Sequence, residues 1–246
     1  MMNQPISRAT GPALLCLVLL SSSASSWSQW QNQLGVHTDY FYRGLTYREQ
    51  PSSISWLSEY RFDNGIYTGL WANKHNDSKN FRGTEELDYW VGFIRPVSRT
   101  LAIDVSFTKF SYPNERIFDY AWREALLSLH VEQYWTFAAG INKDQFRSGD
   151  EGYIVEATRR SPWLSNLIDI SLGYAENDAF DYRPSPDELS DDHGYLYYEL
   201  GISRVLKPMD QLRMRMALVG TDKDNTSIYG QWFADREWAF SLQYHF

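Results

Sequence analysis

The chain has 246 residues, 43% of them hydrophobic and 16% aromatic, with 31 acidic against 23 basic side chains and a net charge of −8. That balance excludes nucleic acid as a partner, because a phosphate backbone is bound by basic faces. The one cysteine, Cys16, sits so near the start that neither a disulfide framework nor thiolate chemistry is open to the rest of the chain.

Residues 1–26 have the layout of a cleaved signal peptide: Arg8 in a basic start, an apolar run over residues 11–20, and a small-residue exit over 21–26. The run is far shorter than the roughly 20 residues of a spanning helix. Residues 27–246 then form one domain, without repeat or linker.

In that domain twelve segments alternate apolar and polar residues, the period of a two-faced strand. The first, residues 30–42, sets Trp30, Leu34, Val36, Tyr40 and Tyr42 against Gln33, His37, Asp39 and Arg43. The second opposes Ile54, Trp56, Tyr60 and Phe62 to Ser55, Glu59 and Arg61, and ends in an Asp63-Asn64-Gly65 hairpin turn. The third covers residues 66–73. The fourth alternates Leu87, Tyr89, Val91 and Phe93 with Glu86, Asp88, Trp90 and Gly92, and the fifth Leu101, Ile103, Val105 and Phe107 with Asp104, Ser106 and Thr108. The sixth, over 119–131, has Leu126 out of step beside Leu127, Leu129 and Val131. Trp135, Phe137, Ala139 and Ile141 mark the seventh, and Tyr153, Val155 and Ala157 a short eighth over 152–158. Ile168, Ile170, Leu172 and Tyr174 mark the ninth, Leu196, Tyr198, Leu200 and Ile202 the tenth, and Leu212, Met214, Met216 and Leu218 the eleventh. The twelfth closes the chain on Trp238, Phe240, Leu242, Tyr244 and Phe246, alternating with Glu237, Ala239, Ser241, Gln243 and His245.

The connections alternate in length. Long ones over 45–53, 75–84, 111–118, 142–151, 175–193 and 221–231 face short ones over 63–65, 96–100, 132–133 and 207–210, with 159–166 intermediate. A soluble sandwich has no reason for such two-sided asymmetry, whereas outer-membrane barrels pair short periplasmic turns with long outer loops. The predicted fold is therefore an all-β, transmembrane antiparallel up-and-down barrel of 12 strands with both termini periplasmic. Trp238, Phe240, Leu242, Tyr244 and Phe246 resemble the C-terminal membrane-insertion signal of Gram-negative outer-membrane proteins, which implies lipid, lipopolysaccharide and the barrel-assembly machinery as partners.

Several stretches resemble the TorF-like family of porins of proteobacteria over residues 36–125. They are Tyr40-Phe41-Tyr42-Arg43-Gly44-Leu45-Thr46, the run from Gly65 through Tyr67, Gly69 and Trp71 to Asn73, the run from Glu86 through Asp88 to Gly92, and that from Asp119 to Glu124. Where such sequences carry a Gln-Gly-Gly-like start to the second strand, this chain has Ser52-Ser53-Ile54-Ser55. The resemblance implies an outer-membrane barrel with a transport role, and brings neither a firm substrate nor catalytic residues.

By strand parity the inward faces carry Glu59, Glu86, Asp88, Asp104, Glu124, Glu156, Asp169, Glu199 and Glu237, against Arg43, Arg61, Arg213 and Arg215. Nine acids and four arginines make a wall that favours cations. The same charges also fit an interior stapled by ion pairs, with Arg213 and Arg215 near Asp104, Asp169 or Glu199, since lumenal charges persist only if paired or hydrated. Eight strands leave a filled interior and sixteen an open channel; twelve lies between. The acid-rich stretch 175–193 reads as a solvated loop, or as a divalent-ion bridge to lipopolysaccharide, and does not follow a calcium-loop spacing.

Enzyme signatures are lacking: the five histidines are scattered at 37, 75, 130, 193 and 245, and neither H-E-x-x-H nor G-x-S-x-G occurs. Three functional readings follow. The first is an outer-membrane porin for passive diffusion of small hydrophilic solutes, mildly cation-preferring, without catalysis, cofactor or metal. The second is a non-conducting structural or surface-binding barrel, and the third a soluble exported lectin-like β-protein.

Overall fold

The computed structural model describes residues 29–46, 52–75, 85–113, 121–145, 149, 151–177, 194–223, 227–228 and 231–246. The signal peptide and nearly all of the acidic stretch, residues 178–193, lie outside the described residues.

Sixteen strands occur in chain order: β1 Gln29–His37, β2 Phe41–Tyr42, β3 Leu45–Thr46, β4 Ser53–Arg61, β5 Ile66–His75, β6 Glu85–Pro96, β7 Leu101–Ser111 and β8 Trp122–Val131, then β9 Trp135–Lys143, β10 Glu151–Trp163, β11 Asn166–Asn177, β12 Gly194–Val205, β13 Leu212–Thr221, β14 Ser227–Ile228, β15 Gln231–Phe233 and β16 Glu237–His245. Twelve close into one antiparallel barrel, each beside its neighbour in sequence, and β16 seals it by pairing with both β13 and β1. The four short strands form a separate sheet in the order β14-β15-β3-β2. The expected twelve-stranded barrel is thus present. Closure leaves the barrel itself without a sheet edge, which a sheet in hydrocarbon requires.

The period of two sets the outer surface. Leu34, Val91, Val105, Leu127, Leu172 and Leu200 all stay between 46 and 58% exposed, and their apolar neighbours around the ring are exposed as well. At the short-turn end this belt carries an aromatic girdle: Trp30 on Tyr60 at 4.9 Å, Tyr60 on Phe62 at 4.7 Å, Trp135 on Phe137 at 5.8 Å and Tyr244 on Phe246 at 5.9 Å. Rings with an apolar body and a polar tip settle at such a boundary. Both described ends of the chain lie here, since Phe246 and Asn32 exchange backbone hydrogen bonds. Asn64 and Gly65 turn β4 into β5 as expected, with Gly65 at φ 91° and the Asn64 side chain accepting from the Ile66 amide at 3.0 Å.

Three boundaries differ from expectation. β1 ends at His37, so Tyr40 and Tyr42 leave the outer face and turn inward, and Arg43 sits on a loop rather than a wall. Leu126 keeps strict alternation: it points inward, 4% exposed, between Leu127 outside and Ala125. β10 runs on to Trp163, which shrinks the 159–166 connection to a turn at Leu164 and Ser165. The charges of Arg159 and Arg160 masked that continuation, although each obeys the parity. Arg159 lies outside over the Trp135 ring at 5.2 Å, while Arg160 faces inward.

Candidate functional site

Residues 41–46, between β1 and β4, fold into the lumen. β2 and β3 form a hairpin whose two-residue turn, Arg43-Gly44, has φ of 50° and 79°. That is the primed-turn geometry that matches strand twist, and glycine meets it without strain whereas arginine does not. Arg43 is held there by Glu124 on β8, its Nη1 donating to Oε2 at 2.5 Å and its Nη2 to Oε1 at 3.0 Å. Around a ring of twelve strands β8 lies five positions from β1, so the hairpin spans almost the full lumen. Tyr42 donates to the same carboxylate at 3.4 Å and lays its ring against Phe110 and Trp122, which stack on each other at 3.7 Å. Burial above all pushes the hydroxyl of Tyr42, a residue of the hairpin and not of a spanning strand, well above its ordinary range. The carboxylates of Glu124 and Asp88 add to this and Arg43 opposes it, so the group stays a neutral donor.

The base of the hairpin is tied as firmly. Asp39 accepts from the Thr46 hydroxyl at 2.6 Å, and Tyr40 packs on Trp71 at 4.9 Å. β3 pairs with β15 of the last connection, and the Ala234 amide donates to the Gly44 carbonyl at 2.8 Å. The described parts of the first and last long connections therefore make one small sheet over the lumen.

Below the hairpin, the β4 to β8 wall is packed with buried charge. Glu59 accepts from Arg61 at 2.6 Å and from the Trp90 indole at 3.1 Å. Asp104 accepts from Tyr67 at 2.7 Å and lies 3.6 Å from His130, whose other ring nitrogen meets Thr136. Glu86 accepts from Tyr112 at 2.8 Å, and Asp88 lies fully buried in the field of Glu86 and Glu124. Next along the ring, Glu156 accepts from Tyr197 at 2.8 Å.

The β10 to β13 wall carries the arginines. Arg215 bridges Asp169 and Glu199, reaching over β12 where Gly201 has no side chain; a Cβ there would collide with both Asp169 and Arg215. Arg213 and Arg160 complete a basic cluster around Asp169. Glu237 stays half-buried near the top of β16. Trp238, Phe240, Leu242, Tyr244 and Phe246 all point outward, between 38 and 59% exposed.

Residues 21–246 match the family described as bacterial protein of unknown function, Gcw_chp. The chain belongs to the Gcw_chp family. No curated protein matches it in sequence. Among solved structures this Gcw_chp chain is similar to the KdgM porin, with 10% identity and a TM-score of 0.54 over 88% of this chain and 99% of that one. A KdgM porin in complex with disordered oligogalacturonate gives 0.55 at the same identity and coverage, and the NanC porin 0.54 at 9% identity, over 87% and 98%. At such identity the likeness is one of fold.

Within the Gcw_chp fold the inward charges of the wall fall where parity put them, apart from Arg43, which reaches the lumen from the hairpin. Of the pairings expected for Arg213 and Arg215, Arg215 takes Asp169 and Glu199, while Asp104 goes to Tyr67 and His130 instead. Arg160 was missed because the eighth segment was ended at Thr158. The lumenal Trp71, Phe110, Trp122 and Tyr195 were missed too, although Phe110 follows Asp104, Ser106 and Thr108 in step. Among the described residues no group of three or more His, Cys, Asp or Glu is arranged to hold a metal.

Proposed function

We propose that this protein is an outer-membrane porin of narrow bore, passing small hydrophilic solutes by diffusion through a lumen that its first connection partly fills. One observation carries this reading: an apolar, aromatic-girdled outer belt encloses an interior of ionisable and hydroxylated side chains, with a hairpin pinned across it by Arg43 and Glu124. A soluble protein would not expose such a belt. The resemblance of residues 36–125 to TorF-like porins and the fold likeness to KdgM and NanC support the same reading.

In this proposal the short turns and both termini face the periplasm, the signal peptide is removed on export, and the barrel-assembly machinery reads the terminal aromatics. Lipid and lipopolysaccharide surround the belt, and no bond chemistry occurs. Nine inward acids against five inward arginines, Arg160 included, favour cations mildly. An acidic polysaccharide such as the oligogalacturonate of the KdgM complex is not the solute expected for this wall.

Planar bilayers containing the refolded barrel test the reading. Small, discrete, cation-biased openings are expected. Silence from protein whose gel mobility shifts on heating, the mark of a folded barrel, would overturn it in favour of a non-conducting surface barrel.

A further inference from the structure

The lumen is lopsided. Against β5 to β8 the hairpin meets Trp71, Phe110 and Trp122, and the inward acids of β4 to β8 are sealed: Glu59 and Asp88 are 0% exposed, and the Glu124 side chain 3%. Across the barrel, β16 presents the light Ala239 and Ser241 inward beside the cavity described below, while Gln243 and Gln33 farther along β16 and β1 are buried. On that side Glu199 keeps 23% of its side chain exposed and Arg215 13%, and Ser241 and His245 are only half-buried. Where the base of the hairpin faces this wall, a cavity of about 40 Å³ remains, lined by His37, Asp39, Trp71, Glu199, Arg215 and Ser241. That is room for a few waters beside polar partners.

Resting on the porin reading, we propose that solutes travel off-centre, down the wall formed by β12, β13, β16 and β1, and that Glu199, Arg215 and His37 are the specificity-determining residues at its throat. The chemistry there is defined. Arg215 is immobilised by Asp169 and Glu199, so its guanidinium is a fixed donor. His37 is held by the Ser55 hydroxyl at 2.8 Å. Among the lining residues the acids Asp39 and Glu199 face the single arginine Arg215, and Trp71 supplies an aromatic wall. Such a throat favours small organic cations that also carry hydroxyl or amide groups. Within that acidic excess, Glu199, with 23% of its side chain exposed, is the acid a passing solute reaches.

Thiol labelling separates the two walls. In a Cys16→Ser background, Ser241→Cys and Ser128→Cys place one thiol on each side of the lumen, on β16 and on β8. A cationic methanethiosulfonate is expected to modify Ser241→Cys at least about tenfold faster than Ser128→Cys in the folded barrel, since thiol reactivity follows access. Labelling should also block current through Ser241→Cys. Equal rates, or faster reaction at residue 128, overturn the off-centre path. The labelling rates are read on folded protein whether or not it conducts, so a silent bilayer refutes the porin reading while the path is judged separately. Glu199→Gln is expected to lower the cation-over-anion permeability ratio about twofold by removing one fixed lumenal charge; an unchanged ratio removes Glu199 from the throat.

Discussion

On the outer face of β8 and β11, Leu127, Leu129, Ile170 and Leu172 are between 38 and 58% exposed to the surroundings of the barrel. On the inner face of the same two strands, Glu124, Leu126, Ser128 and Asp169 are at most 4% exposed, and the two acids have named partners, Arg43 and Arg215. An outer position asks only for an apolar side chain of any shape, because acyl chains flow to fit it. An inner position asks for a particular atom opposite a particular atom. The outside is therefore tolerant within its class and intolerant of charge, whereas the inside depends on pairs.

The strongest way to break that contrast is to remove one partner of the hairpin clasp. Glu124→Ala leaves Arg43 buried without its bidentate acceptor, and a broken buried pair costs about 3–5 kcal/mol. Guanidinium unfolding in lipid vesicles should show the loss. The Arg43→Ala, Glu124→Ala double variant should lose less than the two single changes added, because neither charge is then left alone. A single variant as stable as the unaltered barrel would mean that the clasp contributes nothing. The outer face is tested next by Leu172→Arg, expected to cost about 2–4 kcal/mol if residue 172 faces the middle of the bilayer. Indifference to that charge would place Leu172 against water.

The same contrast explains what could be read from the chain beforehand. Barrel, strand number and outward residues were legible because one rule, apolar at every second position, acts on each strand independently. The hairpin was not legible. Tyr40 and Tyr42 continue the alternation of β1 past its true end at His37, and nothing local distinguishes a tyrosine facing lipid from one stacked on Trp71 or Phe110. Arg43-Gly44 was the available hint, since glycine after a polar residue marks a primed turn. The clasp itself joins residues 81 positions apart and depends on closure of the whole ring. The Arg215 bridge is similar: it exists because Gly201 on the intervening strand leaves a gap, and a single glycine in a strand says nothing about what reaches across it.

The smallest expected effect is also the sharpest, because it compares adjacent residues of one type. Leu126 and Leu127 share backbone, strand and neighbours in sequence, but Leu126 packs inside among Phe110, Trp122, Ile154 and Tyr197, while Leu127 is 48% exposed on the belt. Truncation to alanine removes the same three carbons at each site. At residue 127 lipid refills the space, so only the transfer contribution of those carbons is lost. At residue 126 the surrounding rings collapse incompletely and a cavity is left, which adds roughly 1–2 kcal/mol to the same loss. Parallel unfolding of Leu126→Ala and Leu127→Ala in identical vesicles isolates that difference, with Leu126→Ala the less stable. Equal stability would mean that the interior beneath the hairpin is as yielding as the bilayer, and the distinction between a paired inside and a tolerant outside would not hold for its apolar residues.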